Sequence, residues 1–374
     1  MRHPSVPICI LASQYFGWGI YGGFGSMSRM LAESLAASGF EVEVIVPRRQ
    51  GQEPLEEING VQVRSFPISR PHEAYRLLRA SRAKIFHSQD PTVLSAAARA
   101  MHPRRVHLIT CRDPRDRNDW WTEFLYATPA RRVLTPLNYL SESGPLIAAA
   151  VRRADGVYVP AHFLRTKVQR MYRLPEPAGF IPNLIEVPAT MPGRSGPPVF
   201  VSVARWDRRK RPEVFLDLAA LFPQYTFVAV GCGSASAESS YDAALRKRYE
   251  GIPNLEMPGF INRFTEPERM HALLCRAHVF VNTAAREGLP LTFLEAAAHG
   301  CAILSAVNPD GFAERFGVMV ADDDFAAGVR RILDADPESL GSRAREYVMA
   351  TYEKSAALAA HIVEYERHAR LKHL

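Results

Sequence analysis

The residues from Arg286 to Gly300 hold the most specific chemistry in the chain: two carboxylates, Glu287 and Glu295, with seven residues between them. Pro290 and Leu291 open a helix here. Glu287 therefore falls in the loop before it and Glu295 in its second turn, on the side facing the same crevice. The helix N-terminus between them, with Gly288 and Leu289 leading in, favours a negative charge such as a phosphate. A carboxylate accepts hydrogen bonds from two neighbouring hydroxyls, so one acid suits a sugar and the other a ribose. Two of 39 acidic residues can fall at this spacing by chance. The Gly288-Leu289-Pro290-Leu291 lead-in and the Ala296-to-Gly300 exit argue against that.

A second candidate is the basic run from Arg205 to Pro212, which follows one strand and leads into a helix. Arg205 and Lys210, five apart at the carboxyl end of a parallel strand, can converge on a diphosphate. Arg208, Arg209 and Arg211 read as a solvated basic turn. A third candidate is Tyr21-Gly22-Gly23-Phe24-Gly25, opening the first helix, whose glycines let backbone N–H groups approach an anion. It is not a dinucleotide fingerprint. Ser28 stands where the third glycine belongs, and Pro47-Arg48-Arg49 at the end of the second strand supplies no acid for an adenosine ribose. Near the end of a later strand, His87 and Gln89 offer polar contacts, although a lone histidine such as His87 is more often structural than catalytic. From Arg112 to Tyr126, the side chains of Arg112, Trp120 and Trp121 can meet a sugar face or a lipid headgroup, or simply pack a helix on its domain.

These groups need a scaffold, and the hydrophobic pattern supplies one. Short apolar runs alternate with amphipathic segments, the signature of parallel α/β layering. Strands are expected at Pro7–Ala12, Val42–Val46, Val61–Phe66, Lys84–His87, Val106–Thr110 and Gly156–Val159. A helix over Ser26–Ser38 is closed by Gly39. Seven prolines between Pro175 and Pro198 exclude a helix and mark an extended linker at a domain boundary. Beyond it the pattern restarts, with strands at Val199–Val203, Tyr225–Val230 (running into Gly231-Cys232-Gly233), Val279–Asn282 and Ala302–Ser305. Pro212 suits a first helical position, Thr265 to Glu268 has capping-box spacing, and Ser355–Leu374 reads as one long helix.

Composition narrows the class. Hydrophobic residues at 47% and charged residues at 23% fit an ordinary globular protein. Five dispersed cysteines lack metal-ligand spacing and suit reduced core thiols, and no secretory signal is apparent at the N-terminus. The net charge of +7 is lopsided: residues 1–190 carry 24 Lys+Arg against 16 Asp+Glu, the remainder 22 against 23. A basic half reads either as a solvated surface or as an attraction for a phosphorylated partner or an anionic membrane, and no nucleic-acid-binding signature accompanies it.

The second half resembles the donor domain of the family-4 retaining glycosyltransferases with the two-Rossmann (GT-B) fold. Arg205 and Lys210 match that family's Arg-and-Lys spacing, Glu287 and Glu295 its paired acids, and Gly22-Gly23 its N-terminal loop. Ala154-Asp155 and Ile181-Pro182-Asn183 resemble its landmarks before the linker. The resemblance implies an α/β fold of two Rossmann-like parallel-sheet domains facing a central cleft: residues 1–187 for the acceptor, 188–350 for the donor, and a C-terminal helix, 351–374, returning toward the first domain. It implies that Arg205 and Lys210 hold the diphosphate, Glu287 the transferred sugar and Glu295 the ribose, with the backbone near Ile261 at the base. Gln89 stands where the family often has a second His, and Arg112 where it often has another. A Gln still bonds a sugar hydroxyl but does not titrate.

The expected reaction is retaining transfer of a hexosyl unit from a UDP- or GDP-sugar to a hydroxyl of a glycan, lipid-linked or small-molecule acceptor. No carboxylate nucleophile is identifiable, which with the resemblance favours a front-face mechanism. The chain is read as offering no Asp-x-Asp metal site, so neither metal nor other cofactor is expected. A cytoplasmic location, with peripheral attachment to an anionic inner membrane, suits the basic half. Two readings stay open beside this one: a sugar-nucleotide epimerase or NAD(P) oxidoreductase, and a sugar-nucleotide binder without turnover.

Overall fold

The computed structural model describes residues 6–19, 22–191, 193–231 and 240–374. Tyr21, Cys232 and Gly233 of the sequence reading lie outside them. The chain divides into two compact units, one of Met1–Phe124, Thr128–Leu184 and Ser355–Leu374, the other of Leu125–Ala127 and Ile185–Lys354.

The first unit is built on eight strands: β1 (Ile8–Leu11), β2 (Val42–Pro47), β3 (Leu55–Ile58), β4 (Val61–Phe66), β5 (Ile85–Ser88), β6 (Val106–Thr110), β7 (Gly156–Val159) and β8 (Gly179–Phe180). Their order is β3-β4-β2-β1-β5-β6-β7-β8, parallel except for the β3–β4 hairpin. The central runs β1, β5 and β6 are buried at every position, as strands covered on both faces require. At the edge, Asn59 and Gly60 both take positive φ (48° and 79°) and close a two-residue hairpin turn. Strand order reverses between β1 and β5.

The first helix spans Gly23–Ala37, three residues earlier than its apolar face suggests, so Gly23 and Gly25 are helical and Gly22 is the N-cap. Gly25 is needed for close packing. A Cβ there would lie 3.0 Å from the Phe16 nitrogen, whose N–H donates to the Gly25 carbonyl at 3.2 Å. Gly39 ends the helix at φ 89°, with the N–H groups of Gly39 and Phe40 on the carbonyls of Ala36 and Leu35.

The C-terminal helix, Lys354–Leu371, packs within this first unit from Ser355 onward. The Tyr365 hydroxyl lies 2.6 Å from His87 Nδ1, and Lys372 Nζ donates to Asp155 Oδ2 at 2.7 Å. The proline-dense stretch is not wholly a linker. Its Gly179-Phe180 pairs with β7 as a strand, and Ile181, Leu184 and Ile185 are buried.

The second unit holds β9 (Val199–Val203), β10 (Thr226–Val230), β11 (Leu255–Gly259), β12 (Val279–Asn282), β13 (Ala302–Ser305) and β14 (Gly317–Met319), all parallel, in the order β11-β10-β9-β12-β13-β14. The order reverses once, between β9 and β12. Its core includes Phe200 stacked on Phe227 at 4.9 Å and Phe215 set edge-on to Phe227. Pro212 begins a helix, Pro212–Leu221. The capping box expected at Thr265 does not form. The helix Pro267–Arg276 has Glu266 at its N-cap without a side-chain cap, and the Glu266 carboxylate turns back to accept from the Asn262 N–H. No helix among the described residues is long and apolar enough to cross a membrane.

Candidate active site

In open parallel sheets ligands bind where strand order reverses, outside the carboxyl ends of the strands. In the second unit that places the loops after β9 and β12 side by side, and backbone bonds lock them together. The Ala285 N–H donates to the Arg209 carbonyl at 2.9 Å, and the Thr283 hydroxyl reaches the carbonyls of Lys210 (2.7 Å) and Arg211 (2.9 Å). Arg211 is no solvated residue. Its Nε donates to the Thr283 carbonyl at 2.6 Å and its guanidinium pairs with Asp323, so it holds the two loops in register. Arg208 does remain exposed.

Held this way, the Lys210 ammonium pairs with the Glu287 carboxylate, joining the two most informative sequence motifs. Arg205, 47% exposed at its side chain, faces Asp207 at 3.5 Å. The helix Leu291–Ala298 follows Gly288 and Leu289, with Pro290 at its N-cap and no side chain capping it. Glu295, in its second turn, takes both arms of the Arg263 guanidinium, one of them at 3.0 Å. Burial pushes the Glu295 carboxyl up, and Arg263 only partly offsets this. Ile261 is buried in the loop after β11 that delivers Arg263.

Two stretches do have the Asp-x-Asp spacing, contrary to the sequence reading: Asp322 to Asp324 and Asp334 to Asp336. Asp324 caps the helix Phe325–Asp334 and Asp336 caps Pro337–Tyr352, while Asp323 is the partner of Arg211. Here these acids serve helix ends and an ion pair.

In the first unit, the β1/β5 reversal is lined by a buried polar network. His87 is fully buried with both ring nitrogens engaged, Nδ1 by Tyr365 and Nε2 by the Thr110 hydroxyl at 2.7 Å. Burial, with His361 and Arg112 nearby, holds it well below the usual histidine range, so it is neutral. Gln89 accepts from the Arg112 guanidinium through Oε1 (3.1 Å from Nε), and Arg112 reaches Asn183 Oδ1 at 2.5 Å. The Gln89 Nε2 is buried without a partner. The Trp pair separates. Trp120 is buried, donating to the Ser143 hydroxyl under the Arg115 guanidinium, whereas Trp121 is 61% exposed and stacked on Phe124. Trp120 is thus a packing residue and only Trp121 offers a free indole face.

Residues 22–183 match the family described as a glycosyl transferase 4-like domain, and residues 197–335 the glycosyl transferases group 1. The chain belongs to the glycosyltransferases of this type.

No curated protein matches it by sequence. By structure it is similar to sucrose-phosphate synthase from Thermosynechococcus elongatus, with a TM-score of 0.72 at 21% identity, over 96% of this chain and 98% of that one. It is also similar to an α,α-trehalose-phosphate synthase (UDP-forming) from Burkholderia vietnamiensis, with a TM-score of 0.66 at 12% identity over 98% of each chain. A third likeness is to the catalytic domain of starch synthase IV from Arabidopsis thaliana, bound to ADP and acarbose: TM-score 0.61, 13% identity, 98% of this chain and 99% of that one. At such identities these likenesses establish the GT-B fold.

Two residues of this glycosyltransferase's reversal points escaped the sequence reading as site candidates. Arg263 pairs with an acid 32 positions away, a relation with no local spacing to betray it. Asp90, next to Gln89, accepts the Arg112 N–H at 3.1 Å, and burial outweighs the attraction of Arg112 to push its carboxyl up to about 8. Its Asp90-Pro91 context after β5 was visible in the sequence, but a shifted carboxyl follows only from folding.

Proposed function

We propose that this glycosyltransferase moves a hexosyl unit from a UDP- or GDP-sugar to an acceptor hydroxyl, with retention and without a divalent metal or other cofactor. The observation that supports it most is Lys210 held on Glu287 beside a helix N-terminus that no side chain caps. Cations and helix N–H dipoles gathered there suit the charge that grows on a departing diphosphate, and such preorganised electrostatics is usually the largest catalytic term. In the reaction the bond from the anomeric carbon to the phosphate oxygen breaks, its electron pair leaving with the diphosphate. The acceptor oxygen bonds to the same face of that carbon, and its proton passes to the departing phosphate oxygen. Arg205 and Lys210 take the diphosphate, Glu287 the sugar hydroxyls and Glu295 the ribose. Arg263 fixes the Glu295 carboxylate in place.

On the acceptor side, the helix Pro129–Ser143 turns Val133, Leu134, Leu137 and Leu140 outward, each more than half exposed. With the basic excess of the first half, such a face suits the anionic surface of a membrane, and with it a lipid-linked acceptor reached from the cytoplasmic side. Flotation with anionic and with zwitterionic vesicles tests this part. Binding only to anionic vesicles, weakened by Leu137→Glu, supports it, and no binding to either removes it.

The donor reading is tested by calorimetric titration with UDP, GDP, ADP and their sugar conjugates in the presence of a chelator. One nucleotide series is expected to bind, with affinity lost in Glu295→Ala. Binding of NAD(P) alone, or of no nucleotide, overturns the assignment.

A further inference from the structure

Beneath the helix that carries Glu295 lies a second group of side chains with its own chemistry. His271 and Cys275 stand one helical turn apart on Pro267–Arg276, so they share a face, and His299 follows the last turn of Leu291–Ala298. One ligand atom from each lies within 4.8 Å of the others. His271 Nδ1 is 3.1 Å from His299 Nε2, and Cys275 Sγ is 3.7 Å from His271 Nδ1. A tetrahedral centre with metal–nitrogen bonds of about 2.0–2.1 Å and metal–sulfur bonds of about 2.3 Å has ligand–ligand edges of roughly 3.4–3.6 Å. Two of the three edges are thus close to the spacing such an ion imposes, and the third is within 4.8 Å.

The protonation states agree. His299 Nδ1 is 2.7 Å from the Glu295 carbonyl, an acceptor only, so that nitrogen carries the proton and Nε2 presents its lone pair toward His271. Burial holds the His299 imidazole down to about 4, neutral at ordinary pH. Burial raises the Cys275 thiol, and Arg194 and Arg345, the cations that face the cluster, only partly offset this, so an ion would have to displace the thiol proton. Both guanidiniums are engaged by carbonyl oxygens at the helix ends: Arg194 by Cys275 (3.1 Å) and Gly300 (2.8 Å), Arg345 by Ala298. A thiolate with two imidazoles selects a soft or borderline ion over magnesium or calcium.

We propose that His271, Cys275 and His299 form a binding site for a thiophilic transition-metal ion of the zinc type, with solvent as its fourth ligand. The site is separate from the transfer chemistry: it binds through the end of the helix, whereas the Glu295 carboxylate projects to Arg263. Its effect is to clasp the last turns of the two helices together and so steady Glu295.

The test is a Co2+ titration of the chelator-treated, full-length protein. One equivalent is expected to bind, with the near-ultraviolet band of a thiolate–cobalt bond and the intense visible bands of tetrahedral cobalt, all displaced by Zn2+. Cys275→Ser should abolish the thiolate band and His271→Ala should weaken binding at least tenfold. Cys301→Ser, which removes a buried thiol facing the Ala277 carbonyl at 3.3 Å, should change neither. The wild-type titration decides the matter even if a variant folds poorly: absence of saturable one-equivalent binding overturns the site. So does a thiolate band that survives in Cys275→Ser, because another cysteine would then be the ligand.

Discussion

Each sheet reverses its strand order once, yet the two reversals are furnished in opposite ways. Between β1 and β5, the polar groups are buried and spent on one another: His87 on Tyr365 and Thr110, Gln89 on Arg112, Arg112 on Asn183. Between β9 and β12, the side chains are cations and acids in pairs that solvent reaches, from Lys210 at 17% exposed to Arg205 at 47%. The first network meets an incoming group only by breaking its own bonds, the unpartnered Gln89 Nε2 excepted, whereas a partly exposed ion pair can exchange one partner for another at low cost. Topology therefore supplies a crevice twice, and the side chains of the second are the ones placed to exchange partners.

The sharpest way to break that contrast is Lys210→Ala. If the second reversal does the chemistry, loss of this contact should lower kcat/KM by ~10²-fold, about 3 kcal/mol, with little change in melting temperature. Steady-state transfer kinetics beside a thermal melt would check it. A variant that melts early but turns over normally per folded molecule would mean that Lys210 is only a brace for Glu287.

The counterpart in the first unit is His87→Ala. It deletes two buried hydrogen bonds and strands the Tyr365 and Thr110 hydroxyls, so a loss on the order of 3 kcal/mol in stability is expected. Denaturant titration measures it, and nucleotide affinity should stay at the wild-type value. An unchanged midpoint with lost turnover would put His87 in the reaction and erase the contrast.

How much of this was legible beforehand depends on whether the signal is local. β1, β2, β5 and β6 were readable as apolar runs, as strands largely buried on both faces are, and β4 by the alternation of buried Val61 and Val63 with exposed Gln62 and half-buried Arg64. β3, with Leu55-Glu56-Glu57-Ile58 at a sheet edge, has no such run, although the Asn59-Gly60 turn beside it was a usable cue. β8 is two residues inside a proline-dense stretch, β11 carries Glu256, Pro258 and Gly259 among its five residues, and β14 is three residues opened by Gly317. The site divides the same way. Glu287, Glu295, Arg205 and Lys210 are set by spacing along the chain, while Arg263 on Glu295 and Arg211 on Asp323 are made by the fold. The apparent cap at Thr265 misled because the helix starts one residue later, with Glu266 in the N-cap position and Thr265 outside it.

A gentler effect is expected from Asp90, which keeps some contact with solvent. Its carboxyl is raised from 3.8 to about 8 by burial, with Asp113 and Glu142 adding to the shift and Arg112 opposing it. A raised acid binds a proton in the folded state that the unfolded chain has already lost. Its stabilisation is therefore full below pH 3.8 and fades as pH climbs to about 8. His361, held down to about 3, acts in the other direction, costing stability as pH falls below 6.5. Asp90→Asn should flatten the fall in stability between pH 3.8 and about 8 and leave the His361 loss below pH 6.5 in place, as read from melts across that range. An unaltered slope between those limits would locate that titration elsewhere.

The smallest effect asks whether the two units differ at all where function is not involved. Gly39 and Gly300 end helices in the same way, at φ 89° and 69°, each with its own N–H three residues back and the next N–H five residues back: Gly39 and Phe40 on Ala36 and Leu35, Gly300 and Cys301 on Ala297 and Ala296. Neither would meet a steric block. A Cβ on Gly39 finds nothing within 4 Å, and one on Gly300 makes only ordinary contacts, with the Arg194 guanidinium at 3.6 Å and the Gly341 carbonyl at 3.9 Å. The cost of Gly39→Ala and Gly300→Ala is therefore backbone strain alone, about 1 kcal/mol for each. Equal shifts in denaturant midpoint would show that local caps are interchangeable between the units and that the divergence lies in the side chains at the strand reversals. A distinctly larger loss at Gly300 would instead tie this helix end to the Arg194 contacts, and through them to the His271, Cys275 and His299 cluster.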